Sequence, residues 1–81
     1  METIDMSLSD CVTLVMDRYL ADLQGEVPSN LHALIIDEVE RALLANTLQH
    51  CSGQRGMAAQ WLGINRNTLR KKLQAYGLEN T

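Results

Sequence analysis

From Pro28 to Ser52 the sequence carries an unbroken helical pattern whose apolar side chains fall on more than one side. Pro28 suits the start of such a helix, where its missing N–H costs nothing. Ser52 and Gly53 supply the stop near His50. Some 22 residues make a rod roughly 33 Å long at about 1.5 Å per residue. Leu31, Leu34, Ile35, Val39, Ala42 and Leu43 line one stripe, which is the expected core face. Ile36 and Leu44 fall off that stripe. One short partner helix cannot cover both sides, so two copies are expected to intertwine and share a four-helix core. The competing reading is that Ile36 and Leu44 are isolated exposed apolar residues, which protein surfaces tolerate.

The need for a second copy also follows from size. A chain of 81 residues makes one domain and buries only about 60% of its unfolded surface. Chains this small gain support from disulfides, a metal or a partner subunit. Cys11 and Cys51 do not make a disulfide framework. They are expected to be reduced and to behave as small buried or half-buried apolar groups. With His32 and His50 they show no ligand-pair spacing, so no metal or other cofactor is expected. His50 is read as a helix-end residue favoured by the negative pole. Glu2 and Asp5 stand where a secretory signal would be positive, and no run approaches the roughly 20 apolar residues of a membrane span. A cytoplasmic protein with no membrane partner is expected.

A first helix is expected from about Leu8 to Gln24, with apolar residues at Leu8, Val12, Val15, Met16, Tyr19, Leu20 and Leu23. Ser7 and Asp10 form a capping-box pattern, and Gly25 supplies the stop.

Charge separates the two ends of the chain. Residues 1–54 hold two arginines against nine acids, whereas residues 55–81 hold five cations against Glu79 alone. An acidic body with a basic C-terminal third is expected where one end meets a polyanion. Cations also collect near helix C-termini for dipole reasons, so charge alone does not decide.

Local pattern decides more. Arg55 to Leu62 forms about two helical turns, with Ala58, Trp61 and Leu62 available to face the body. Gly63 ends it in the left-handed conformation, and Asn65 caps a last helix running to about Tyr76. The small side chain of Ala59 lets the two helices cross closely. A helix, a glycine turn and a second helix make the helix-turn-helix plan. With Leu69 and Leu73 inward, Lys71 points away, flanked by Asn67 and Arg70 on one side and Thr68 and Lys72 on the other. Asn65 and Arg66 sit at the end that recognition helices push toward base edges. Arginine suits guanine, and asparagine can bond bases or phosphates. Thr68, Arg70, Lys71 and Lys72 suit phosphate oxygens.

The run from Gly63 through Leu73 (Gly-Ile-Asn-Arg-Asn-Thr-Leu-Arg-Lys-Lys-Leu), closing on Tyr76-Gly77, resembles the DNA-binding helix of the Fis family of bacterial nucleoid proteins. The same motif closes many enhancer-binding activators that carry an ATPase upstream. Weaker matches precede it in order: Leu8-Ser9-Asp10, Tyr19-Leu20, Leu23-Gln24-Gly25 and Glu38-Val39-Glu40 followed by Leu43-Leu44. The resemblance covers residue 8 to the end. It implies a symmetric all-helical dimer that binds degenerate sites and bends DNA, with specificity resting largely on DNA shape. Asn65 and Arg66 would approach bases, Arg66 most importantly, while Thr68, Arg70, Lys71 and Lys72 grip or support the backbone.

Three departures from that family carry expectations. Gly53-Gln54-Arg55-Gly56-Met57 stands where members often have Gly-Asn-Gln-Thr-Arg. Gly56 loses the threonine contact, and Gln54 and Arg55 join the candidate DNA-binding set, Arg55 as the residue to compensate. Gln74 and Ala75 replace family lysines, so the salt dependence of binding should be shallower by about 0.9 in slope per lost contact. Only seven residues precede Leu8, whereas the best-known members use a longer arm to activate DNA invertases, so stimulation of recombination is expected to be absent.

The expected fold is all-α: a four-helix chain with two long N-terminal helices forming an intertwined dimer core and a C-terminal helix-turn-helix. Residues 1–81 form one Fis-like domain, with dimerisation helices over 8–52 and the DNA-binding region over 53–78. The expected function is a dimeric, DNA-bending, nucleoid-associated regulator. Double-stranded DNA and a second copy are the partners, with RNA polymerase a further candidate. One rival is the C-terminal domain of an enhancer-binding activator. Another is a helical protein-interaction module with a merely solvated basic face. No enzyme is expected: Asp37, Glu38 and Glu40 read as the solvated side of a helix, and no triad or phosphate-cradling loop is present.

Overall fold

The computed structural model describes residues 6–79, all of whose regular structure is helical. The order is α1 (Leu8–Asp22), α2 (Leu31–His50), α3 (Arg55–Leu62) and α4 (Arg66–Ala75). The described residues fall into two compact units, dividing after Leu31. The N-terminal arm bearing on recombination lies, over residues 1–5, outside the described residues.

In the first unit, Ser7 caps α1 as its sequence foretold. The Ser7 hydroxyl accepts from the Asp10 amide at 3.1 Å, and the Asp10 carboxylate accepts from the Ser7 amide at 3.3 Å. These bonds satisfy two amides near the helix start that lack intrahelical partners. The helix ends two residues earlier than expected, with Leu23 as its C-cap and Gln24 and Gly25 both at positive φ. No residue of α1 is buried. Cys11 is exposed rather than half-buried, and it is unbridged, as is the buried Cys51. Pro28 does not open α2. It lies in the connection between the helices, and Asn30, at φ 58°, turns the chain into a helix that starts at Leu31.

The second unit has its own small core of Leu44, Leu48, Cys51, Ala58, Ala59, Leu69 and Leu73, with Leu62, Ile64, Tyr76 and Leu78 packed on it. Of the two sides of α2 that want cover, this core covers the one bearing Leu44. Leu44, which falls off the most populated apolar stripe, is 1% exposed, whereas Leu34, Val39 and Leu43 on that stripe are exposed. The reason is geometric. Residues 44, 48 and 51 recur at i, i+4 and i+7 and make one row along the helix, and α3 and α4 pack on that row.

At the end of α3, Gly63 takes φ 71° and ψ 29°. The amide of Ile64 then donates to the Ala59 carbonyl at 3.1 Å and that of Gly63 to Gln60 at 3.2 Å, which closes the helix. A Cβ-bearing residue would be strained there. Asn65 caps α4, its side-chain oxygen accepting from the Asn67 amide at 2.7 Å. Two caps of opposite kind, two residues apart, fix the turn between α3 and α4.

Trp61 does not face the body. It is 61% exposed. Ala58, Ala59 and Leu62 make the inward face of α3, and Trp61 lies about 100° around the helix from the middle of that face. No described helix is long and apolar enough to cross a membrane.

Candidate nucleic-acid interface

The helix α4 divides cleanly into a held side and an offered side. Leu69 and Leu73 are both 0% exposed, four residues apart, and anchor it on α2 and α3. With those two inward, Asn65, Arg66, Asn67, Thr68, Arg70 and Lys71 are all exposed. The first turn of α4 holds no acid. The positive pole of the helix therefore adds to the charge of Arg66 and Arg70. The surface is one that an oxyanion or the acceptor edge of a base would meet favourably.

Arg66 leans back toward α3. A methyl group placed on Gly56 would lie 3.7 Å from Arg66 Cζ and 3.8 Å from its Nη2. Those are ordinary van der Waals distances, so the guanidinium lies beside the first turn of α3 without requiring a glycine there.

Gln54 is exposed and N-caps α3 with its backbone only, so its side chain is not committed to capping. Arg55 is committed elsewhere. Its Nη2 donates to the Glu79 carbonyl, and its Nε is buried without a hydrogen-bond partner. Arg55 thereby ties the start of α3 to the segment that follows α4.

Lys72 differs from its neighbours in the same way. Its Nζ lies 3.0 Å from Glu40 Oε2, with both side chains partly buried. The Tyr76 hydroxyl donates to Glu40 Oε1 at 2.7 Å and lies 3.3 Å from Asp37 Oδ1. Arg41 completes the group. Its Nη1 donates to the Tyr76 carbonyl at 2.8 Å, and its guanidinium carbon lies 5.3 Å from the Tyr76 ring centre. Tyr76 is the C-cap of α4, so Arg41 satisfies a carbonyl that the helix leaves open. The Tyr76 hydroxyl, and after it Lys72, hold the Glu40 carboxyl below its ordinary range. In return the bond to Glu40, followed by burial, pushes the Tyr76 phenol above the usual tyrosine range.

Sequence reasoning missed this cluster. Glu40 is not on a solvated helix side, because it is half-buried and accepts from Tyr76, whereas Asp37 and Glu38 are exposed. The signal was available: residues 37, 40, 41, 44 and 48 lie within about 100° of one another on a helical wheel. Once Leu44 is known to face α4, Glu40 must face it too. Among the described residues no His, Cys, Asp or Glu group could hold a metal ion.

Comparison with known proteins agrees with this geometry. The model of the family described as bacterial regulatory protein, Fis family, matches residues 35–76, which span most of α2, all of α3 and all of α4. A protein named as a Fis-like DNA-binding protein in Ralstonia nicotianae is 47% identical over 68 residues, covering 84% of this chain and 88% of the relative. The DNA-binding protein Fis of Glaesserella parasuis is 40% identical over 77 residues, covering 95% of this chain and 79% of its own. A Fis-like relative from Xylella fastidiosa is 46% identical over 71 residues, or 88% of this chain and 79% of the relative. A four-helix chain with this turn, these caps and this exposed basic helix belongs to the Fis family of bacterial DNA-binding regulators.

Proposed function

We propose that the chain works as a homodimer that docks two copies of α4 in successive major grooves, bends the duplex between them and regulates transcription from degenerate sites. Membership of a family of regulatory proteins supports a role in regulation and not in catalysis. Double-stranded DNA is the partner. The observation that carries the reading is the division of α4: Leu69 and Leu73 are fully buried while Asn65, Arg66, Thr68, Arg70 and Lys71 stand exposed on the same ten-residue helix and its cap. Asn65 and Arg66 lead the helix into the groove, and Arg66 supplies the fork-shaped donor for a base. Thr68, Arg70 and Lys71 grip phosphates, with Gln54 at the edge of the contact.

The dimer rests on a separate observation. Leu14, Val15 and Leu20 of α1 and Leu34, Ile36, Val39 and Leu43 of α2 are exposed. So many exposed apolar side chains on each helix mark faces that want cover. Bending follows if the paired α4 helices lie closer together than the roughly 34–36 Å between successive major grooves. Such a protein would act in the nucleoid and address RNA polymerase as a regulator. Gel mobility of circularly permuted duplexes tests the reading. A retardation that depends on the position of the bound site supports it, and position-independent mobility overturns the bending.

A further inference from the structure

The group around Glu40 raises a question about Lys72. Sequence pattern counts Lys72 with Arg70 and Lys71 as a cation on the outer surface of α4. In the fold its ammonium is 3.0 Å from Glu40. The same carboxylate accepts from Tyr76 at 2.7 Å, and Arg41 braces Tyr76 from the other side. A phosphate that recruited Lys72 would have to draw it off a carboxylate already fixed by a second donor. It would also leave Asp37 and Glu40 less neutralised close to the incoming backbone.

We propose that Glu40 is a positioning residue for the DNA-reading helix. It holds the C-terminal turn of α4 through Tyr76 and Lys72 and keeps Lys72 off the phosphate backbone. This rests on the reading of α4 as the recognition helix. Lys72 then works inside the protein, while Arg70 and Lys71, exposed and bonded to no described carboxylate, work on the DNA. Two cations adjacent in sequence have different duties because one lies on the row that faces α2.

A merely structural Lys72 and a phosphate-gripping Lys72 differ in the salt dependence of binding. Each phosphate contact contributes about 0.9 to the slope of log affinity against log salt on B-DNA, and a dimer carries each contact twice, so about 1.8 per substitution. The experiment titrates a fluorescent duplex with the full chain across a salt series, for the native sequence, Lys71→Met, Lys72→Met, Glu40→Gln and the Glu40→Gln/Lys72→Met pair. Circular dichroism confirms that each variant is folded. Lys71→Met is expected to flatten the slope by about 1.8, whereas Lys72→Met leaves it unchanged. Glu40→Gln frees Lys72 and steepens the slope, and the paired substitution returns it to the native value. A Lys72→Met slope as shallow as that of Lys71→Met overturns the proposal, and Lys72→Met alone carries the test if Glu40→Gln does not fold. A slope unmoved by Lys71→Met as well overturns the reading of α4 itself, which separates the two failures.

Discussion

The helices α1 and α4 are both amphipathic, yet the chain treats them oppositely. Leu69 and Leu73 of α4 are fully buried within their own unit, and their helix is closed at both ends by bonds from the same chain. No residue of α1 is buried, although Leu14, Val15 and Leu20 are as apolar as anything on α4. The difference teaches where each helix finds its stability. The shape of α4 is specified by the chain itself, as a part that must present a fixed surface requires. The apolar stripe of α1 is a demand made on something else, and a second copy of the chain is the occupant proposed above.

The largest effect should come from the held side of α4. Leu69→Ala removes a fully buried side chain and should cost about 2–5 kcal/mol, read as a lower urea midpoint. A loss below about 1 kcal/mol would mean that α4 is not anchored as described. Leu43→Glu sharpens the other half of the comparison. Leu43 is 51% exposed, so the substitution should leave helicity intact while weakening dimerisation by at least about tenfold. Sedimentation at several concentrations reads this, and an unchanged dimer would remove Leu43 from the interface.

Smaller effects test the helix ends and the clamp. Ser7→Ala deletes the cap of α1 and should cost about 1 kcal/mol, visible as a lower melting midpoint by circular dichroism. The clamp should show itself in pH dependence. The folded pKa of Glu40 is depressed, so its contribution is present above the ordinary carboxylate range and is lost as pH falls through the folded value. Native and Glu40→Gln proteins should therefore differ in urea midpoint at neutral pH and converge in acid. Tyr76 adds nothing to that window. Its raised pKa means that its share is present below the ordinary tyrosine range and fades only as pH climbs through the folded value. A difference that persists unchanged into acid would show that the carboxylate is not what holds α4.

Much of the C-terminal third was legible because its instructions are local. Asn65 as a cap, Gly63 in a left-handed turn, and Leu69 with Leu73 as anchors each depend on neighbours within four residues. The capping box of Ser7 and Asp10 is equally short in range. What could not be read depends on which helix lies opposite. The Tyr76–Glu40 bond joins residues 36 apart in sequence, and the duty of Lys72 follows from that bond. Which side of α2 the chain covers by itself was hidden for the same reason. Leu34, Val39 and Leu43 outnumber Leu44 and Leu48 as apolar residues, but α3 and α4 pack on the shorter row. A count of apolar residues tells how much surface wants cover, not which partner covers it. Trp61 repeats the lesson in small, since its size suggests a core residue and its angle on α3 puts it outside.

The central claim is that the exposed face of α4 reads DNA, and Arg66 tests it most directly. Purified protein and Arg66→Ala would be titrated side by side against an AT-rich duplex by mobility shift. The account predicts discrete shifted bands for the native chain and a loss of about 1–3 kcal/mol per recognition helix for the variant, roughly 5- to 150-fold in affinity. Equal binding by the two proteins, or no shift by either, would contradict it.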